Sequence, residues 1–401
     1  MNIQQWRSAV AKYFPDYVLP AEVLLSVVCQ LAVKDITNPF GLVLVDRPSS
    51  GKTIVLNFFS GCKELIYVTD NFSASAFVSH ACNIKREDLE SIDLLPKIKH
   101  KTFMVRDLAP LFGMRDDDLL KTMGILTRLF DGEGLISDSG LHGQRGYKGD
   151  YLFMFLAAST PIRPRVWRVM GNFGSRLFFL NMDVPTKNVD VLANQLRARY
   201  SPKRKERKCR KATSLLLEKV FPGLKTVVWD NENENLDLLK EISVLAKLVA
   251  SLRGIVQFRE NDKEGLDFAE VQIENPDRIN QAFYNLARGH ALACGRNKLA
   301  DEDLAIVLNV ALSSAPWERG KLLKLFIERG GELKPEDVEE QLNVSLPTAH
   351  KFLDILKHLG IIFDESFSLS RGGHAYIYKV SADFKWLLSS RFKQLNSVKF
   401  S

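Results

Sequence analysis

The stretch FGLVLVDRPSSGKT, residues 40–53, constrains the fold more than any other in this 401-residue chain. Its apolar first half is short and rich in valine, which predicts a buried strand. The run stops at Asp46, turns through Pro48, Ser49 and Ser50, and reaches Gly-Lys-Thr, after which TIVLNFF predicts a helix. A strand that feeds a tight loop and then a helix aims consecutive backbone N–H groups at one point, and that geometry holds phosphate. Pro48, Ser49, Ser50, Gly51, Lys52 and Thr53 are therefore the candidate nucleotide-binding residues. Lys52 would neutralise the β- and γ-phosphate oxygens and the Thr53 hydroxyl would hold magnesium, so the expected cofactors are ATP and Mg2+.

Two residues depart from the usual pattern of such a loop. Asp46 stands where the first glycine of the motif is expected, and it brings negative charge toward the phosphates; Arg47 beside it offsets that charge. The second departure lies in TFMVRDL, a further strand expected over 102–107. A nucleotide hydrolase places an acidic pair at the end of this strand, one member for magnesium and one to polarise water. Here the pair reads Arg106-Asp107, which leaves Asp107 as the carboxylate for either task. Asp70, at the end of an expected strand over 65–70, is a possible helper or a strand-end cap.

Strands at 40–46, 65–70, 102–107, 151–159 and 175–183 alternate with helices such as DLLKTMGILTRLFDG, and the alternation predicts an α/β fold with a parallel sheet covered on both faces. Helices are expected before the first strand, over 1–39. Past residue 184 the strand signal fades into amphipathic helices, giving a helical domain over 184–316. The last stretch, 317–401, reads as three short helices and an alternating hairpin, the layout of a winged helix-turn-helix. The expected organisation is thus N-terminal helices (1–39), a P-loop core (40–183), a helical lid (184–316) and the winged helix (317–401).

Net charge is +7, and SPKRKERKCRK (201–211) carries seven Lys or Arg against one Glu. This run is either a solvated helix face or linker, or an electrostatic footprint for phosphates. No apolar run is expected to reach the ~18 to 20 residues that span a bilayer. Five scattered cysteines without a CxxC pair read as reduced thiols, so the expected location is cytoplasmic, with no membrane partner.

With these parts in order, the chain resembles an AAA+ ATPase, and within that group the MCM-type and mobile-element replication helicases. RPSSGKT is one anchor. FLAASTP (155–161) is similar to the sensor-1 strand, with Thr160 where Asn is typical. GSRLFFLNMD (174–183) resembles the segment that sends an arginine to a neighbouring subunit's nucleotide, which makes Arg176 the arginine-finger candidate. PDRINQAFYNLARGHALACGRNKLADEDLAIV resembles the lid, with Arg278 in the sensor-2 place. The resemblance covers about residues 40–315 and the terminal module. It lacks the zinc-bearing N-terminal domain of a replicative MCM.

The same resemblance implies a pre-sensor hairpin at GEGLISDSGLHGQRGYKGDY, with His142, Arg145 and Lys148 as DNA-contacting residues; the competing reading is a plain loop. In SLPTAHKFLDILKHLG, Ser345 suits a helix N-cap and Pro347 its first turn, so Thr348, His350 and Lys351 would face a groove, with Arg371 at the wing. Winged helices also dock proteins. The resemblance implies a ring on single- or double-stranded DNA, a hexamer by family analogy, that couples ATP hydrolysis to DNA remodelling or translocation. The alternative is a nucleotide-gated DNA-binding switch with little or no hydrolysis.

Overall fold

Each of the five apolar runs becomes a strand, and all five lie parallel in one sheet. The structure, a computed structural model, describes residues 1–80, 85–140, 143–171, 173–197, 201–224, 226–261, 265–368, 374–398 and 400. Helices α1 (Ile3–Ala11) and α2 (Val18–Cys29) precede β1 (Gly41–Val45) and α3 (Lys52–Asn57). There follow β2 (Ile66–Thr69), α4 (Leu94–Ile98), β3 (Thr102–Val105), α5 (Ala109–Phe112) and α6 (Asp116–Leu129). A hairpin of β4 (Gly134–Ser139) and β5 (Gly143–Lys148) leads to β6 (Met154–Ser159), α7 (Pro164–Gly171) and β7 (Leu177–Asn181).

The strand order is β2-β3-β6-β1-β7. β1 is hydrogen-bonded on both sides, Gly41 opposite Phe155 and Leu177, and Val45 opposite Ser159 and Asn181. All five of its residues are buried, which explains why its sequence is a continuous apolar run and not an alternation. Leu42 and Leu44 join the core cluster on one face, Val43 and Val45 the cluster on the other. Parallel strands bring the ends of β1, β3 and β6 to one edge. The Gly-Lys-Thr loop follows β1 at that edge, in a parallel α/β core as the sequence predicts.

The chain continues through α8 (Val189–Arg197), α9 (Pro202–Val220), α10 (Leu236–Arg253), β8 (Ile255–Asn261), β9 (Gly265–Gln272), α11 (Asp277–Ala293) and α12 (Asp301–Ser313). The antiparallel hairpin β8–β9 interrupts a region expected to be helical throughout. Its clearest strand signals, IVQF and EVQI, are too short for periodicity to separate strand from helix.

The first 39 residues share one core with these helices. Gly289 of α11 sits so close to α2 that a Cβ there would lie 2.1 Å from the Ser26 carbonyl oxygen. Contrary to the expectation of no membrane-length segment, Pro15–Ala32 is long and apolar enough to cross a bilayer. Most of it is buried inside the fold, the usual setting of a core helix. Beside it lies a buried ion network. Glu22 pairs with Arg7 and with His290 Nε2, His290 Nδ1 faces Asp303, and Asp303 also holds Arg296.

The last part comprises α13 (Trp317–Glu328), β10 (Glu332–Leu333), α14 (Pro335–Leu342), α15 (Leu346–His358), β11 (Ile362–Ser368), β12 (His374–Val380) and α16 (Ser390–Asn396). Its strands form an antiparallel sheet in the order β10-β12-β11. α16 returns to the helical region, where Arg391 bonds Glu241 and Asp301.

Candidate nucleotide site

The loop between β1 and α3 has the backbone its sequence requires. Ser49 and Gly51 adopt positive φ, 64° and 94°, and Gly51 caps α3. Glycine at 51 is required twice over, because a Cβ would also lie 1.9 Å from the Tyr17 hydroxyl oxygen. That hydroxyl donates to the Ser50 carbonyl at 2.9 Å. Lys52 folds back over the loop and donates to the carbonyls of Asp46 and Arg47, each at 2.7 Å, and to Ser50 Oγ at 3.3 Å. Burial holds its ammonium below the ordinary value, while the carboxylates of Asp46 and Asp107 pull the other way. The ammonium thus rests on neutral oxygens supplied by its own loop.

Asp46 has a structural task in place of the missing glycine. Its carboxylate accepts from the backbone N–H of Arg47 at 2.7 Å and of Val184 at 3.2 Å, and the Arg47 guanidinium donates to the Val184 carbonyl. The loop entry is thereby tied to the chain leaving β7. Arg106, in the acid's usual place, pairs with Asp70 at 2.7 Å and reaches Asn57 Oδ1 at 3.3 Å. Asp107 is exposed, and one of its oxygens accepts from the Ala109 N–H at 2.8 Å. Thr160 directly follows β6, whose last residue Ser159 is in register with Val45. Lys52, Thr53, Asp107 and Thr160 therefore belong to the same edge of the sheet.

Arg176 and Arg278 are at the other edge. Arg176 immediately precedes β7, whose first residue is paired with Gly41 at the start of β1. Both guanidiniums reach one oxygen of Asp131, Arg176 at 3.3 Å and Arg278 at 2.7 Å. Arg176 also donates to the Phe173 carbonyl, and Arg278 to that of Phe130 at 3.3 Å. Burial, and then the repulsion of Arg278, hold Arg176 below its ordinary value, offset in part by Asp131. Neither arginine is brought to the phosphate loop of its own chain.

Asp131, Tyr17, Asn57 and the Arg106–Asp70 pair were not read from the sequence. Asp131 had a local signal: an acid just past the C-terminal end of α6 opposes the helix dipole and calls for compensating cations. Tyr17 had none, since its partner lies 33 positions away.

The β4–β5 hairpin is formed as the sequence suggested, but among the described residues its basic side chains, Arg145 and Lys148, are not at the tip. Lys148 sits at the base, opposite Gly134, and Arg145 is mid-strand, opposite Ser137, donating to the Ser79 carbonyl at 3.3 Å. The reason is register: a six-residue strand puts these positions along its length. His142, and Arg371 of the terminal module, lie outside the described residues. Ser345 is the N-cap position of α15, with its hydroxyl 2.9 Å from that of Thr348. Thr348 and His350 are half-buried, and Lys351 is exposed, its ammonium 5.9 Å from the centre of the Phe258 ring on β8. Glu22, His290 and Cys294 each offer a possible metal ligand within 4.8 Å of one another. Glu22 and His290 are already engaged with Arg7 and Asp303, so the cluster reads as part of the ion network.

No protein-family model matches the chain, and no curated protein matches it. Among solved structures it is similar to the Cch active helicase of SCCmec type IV, at 10% identity and a TM-score of 0.39, covering 97% of this chain and 72% of that one. It is also similar to the Aeropyrum pernix ORC1 protein in complex with DNA, at 13% identity and a TM-score of 0.24, covering 96% of each. A third is the C-terminal region of NrS-1 in an apo form, at 9% identity and a TM-score of 0.27, covering 95% of this chain and 76% of that one. At such identities and scores none of them carries its function over to this chain.

Proposed function

We propose that the chain is an oligomeric, DNA-binding AAA+ ATPase, of the helicase or initiator kind, whose nucleotide site is completed by a neighbouring copy. The observation that carries this reading is the separation of its parts. Lys52, Thr53, Asp107 and Thr160 share one edge of the sheet, and Arg176 and Arg278 share Asp131 at the other. A single copy thus holds two halves of a site that cannot meet within it.

The loop N–H groups, one ammonium, one hydroxyl and an exposed carboxylate form a donor set that fits a magnesium-bound triphosphate. Thr53 and Asp107 would hold the magnesium ion, which supplies positive charge to the phosphate oxygens. Lys52 would leave its carbonyls for the β- and γ-oxygens. Thr160 would hydrogen-bond the γ-phosphate or the attacking water. Arg176, in trans, would stabilise charge that develops during transfer, with Arg278 beside it. The β4–β5 hairpin, which runs into β6 and so toward Thr160, would carry the nucleotide state to DNA, with Arg145 and Lys148 holding the backbone without reading sequence. The terminal module would act as a winged helix, with Thr348, His350 and Lys351 as its nucleic-acid residues. A head-to-tail arrangement of this kind closes into a ring, a hexamer by family analogy.

The Arg106–Asp70 pair favours a second reading. It fills the place of the hydrolytic acid with a neutralised arginine, which suits a nucleotide-gated switch with little turnover. One experiment separates the two: Mg–ATP binding and phosphate release, with and without single-stranded DNA, for the wild type and Lys52→Ala. DNA-stimulated turnover lost in the variant supports the ATPase, tight binding with negligible turnover supports the switch, and no binding overturns both.

A further inference from the structure

Helix α8 has no buried residue. Val189 and Leu196 are 80% and 82% exposed, Leu192 is 49% exposed, and the spacing of the three puts them on one stripe. A nine-residue helix is marginal in water without packing, and among the described residues nothing buries this stripe. An exposed apolar stripe of this kind marks an interaction surface.

The same chain has an open cleft of about 650 Å3 between α7, β8, α13 and α15. Its apolar walls include Trp167, Phe258, Leu322, Phe352 and Ile355, and the exposed Arg168 belongs to it. Arg253, at the back, stacks 5.4 Å from the centre of the Trp167 ring and donates to the Leu177 carbonyl at 3.0 Å. The cleft is therefore at the start of β7, beside Arg176. The segment that leads into α8 leaves the end of β7, where Val184 is tied to Asp46 at the phosphate loop. Five strand residues, about 16 Å, separate the two ends. Within one copy the chain thus sets out toward α8 from the sheet edge opposite the cleft.

We infer that α8 docks in the α7–β8–α13–α15 cleft of a second copy of this chain, as the principal subunit contact. Three things commit the occupant to a second copy. The stripe and the cleft are apolar counterparts, a helix for a groove. Asp190 follows the first stripe residue and is opposite in charge to Arg168. Docking also carries the phosphate-loop end of one copy toward Arg176 and Arg278 of the next, so one contact both joins the subunits and completes the site. The interface is heterologous, donor helix to acceptor cleft, and propagates head to tail. This inference rests on the shared-site reading above and adds the surface that builds it.

The test uses the full chain with Mg–ATP. Leu192→Glu with Leu196→Glu alters only solvent-facing positions, so the subunit should fold and bind Mg–ATP as the wild type does. Its assembly, followed by sedimentation velocity, should weaken about 100-fold. In a parallel arm, Leu196→Cys chains mixed with Gln257→Cys chains should form a disulfide-linked dimer that neither forms alone. Undiminished assembly of the double-Glu variant without that cross-link overturns the inference and leaves the shared-site reading standing. A wild type that binds Mg–ATP yet stays monomeric on DNA overturns both.

Discussion

The two edges of the central sheet are built in opposite ways. At the phosphate-loop edge the loop's own bonds are local: Lys52 bonds carbonyls five and six residues before it, and Asp46 bonds the next N–H along, while Tyr17 and Val184 brace the loop from farther off. At the other edge, Asp131, Arg176 and Arg278 come from three distant segments and meet at one carboxylate oxygen. A local turn forms a binding site from backbone groups alone. A convergence of distant charges needs the whole fold and is easily redirected by a partner. In the proposed reading, the first edge binds nucleotide and the second acts on a neighbour's.

Substitutions should separate the edges. Arg176→Ala should lower turnover about 1,000-fold, the scale of a lost arginine finger, with Mg–ATP affinity within a few-fold of wild type by calorimetry. A comparable loss of affinity would mean that Arg176 serves its own chain, and the comparison would break.

Glu22→Gln should strike both edges together. The buried network joins α2 to α11, the helix whose first turn carries Arg278. Removing one carboxylate leaves Arg7 and His290 short of a partner, and denaturant unfolding should show a loss of about 3 kcal/mol or more. The network also fixes a pH dependence. Burial alone would lower His290, but its hydrogen bonds to Asp303, Cys294 and Glu22 outweigh that and raise it well above its ordinary value. Its stabilising contribution is complete below its ordinary value and is lost as pH rises through the raised one. Burial opposes the lowering of Glu22 and Asp303, yet their cationic partners hold both below the ordinary carboxylate range. Their contribution is present above that range and is lost as pH falls through the lowered values. The wild-type midpoint in urea should therefore fall at both ends of the pH range, and Glu22→Gln should flatten the profile.

Lys52→Ala should weaken Mg–ATP binding about 10- to 100-fold, the worth of one charge-assisted hydrogen bond, and leave unfolding free energy nearly unchanged. The smallest effect is expected from Asp46→Gly. It removes the carboxylate that accepts from two backbone N–H groups, costing about 1 kcal/mol of stability, and removes a charge near the phosphates, so affinity should rise a few-fold. A fall in affinity would show that tying the loop entry to Val184 matters more than the charge.

The same contrast explains what the sequence could reveal. All five strands were legible as short apolar runs, most clearly those buried on both faces, as in GLVLV and MFLAAS. The strand–loop–helix turn around Gly51 was legible because its signal is local. The β8–β9 hairpin was not, since each strand has only the other as a partner and its apolar runs are short. Arg176 and Arg278 could be picked out by resemblance, yet their meeting at Asp131 could not, because no local pattern records which distant segments the fold brings together. Tyr17 against Ser50 escaped for the same reason.

The most direct test of the shared site mixes two disabled chains. Lys52→Ala lacks one half and Arg176→Ala the other, so each alone should show negligible ATP turnover in the presence of DNA. Combined in equal amounts, they should recover about a quarter of wild-type turnover, because that share of junctions unites an intact Lys52 with an intact Arg176. A mixture as inactive as its parents, while both variants still co-assemble with wild type, would contradict a site divided between copies.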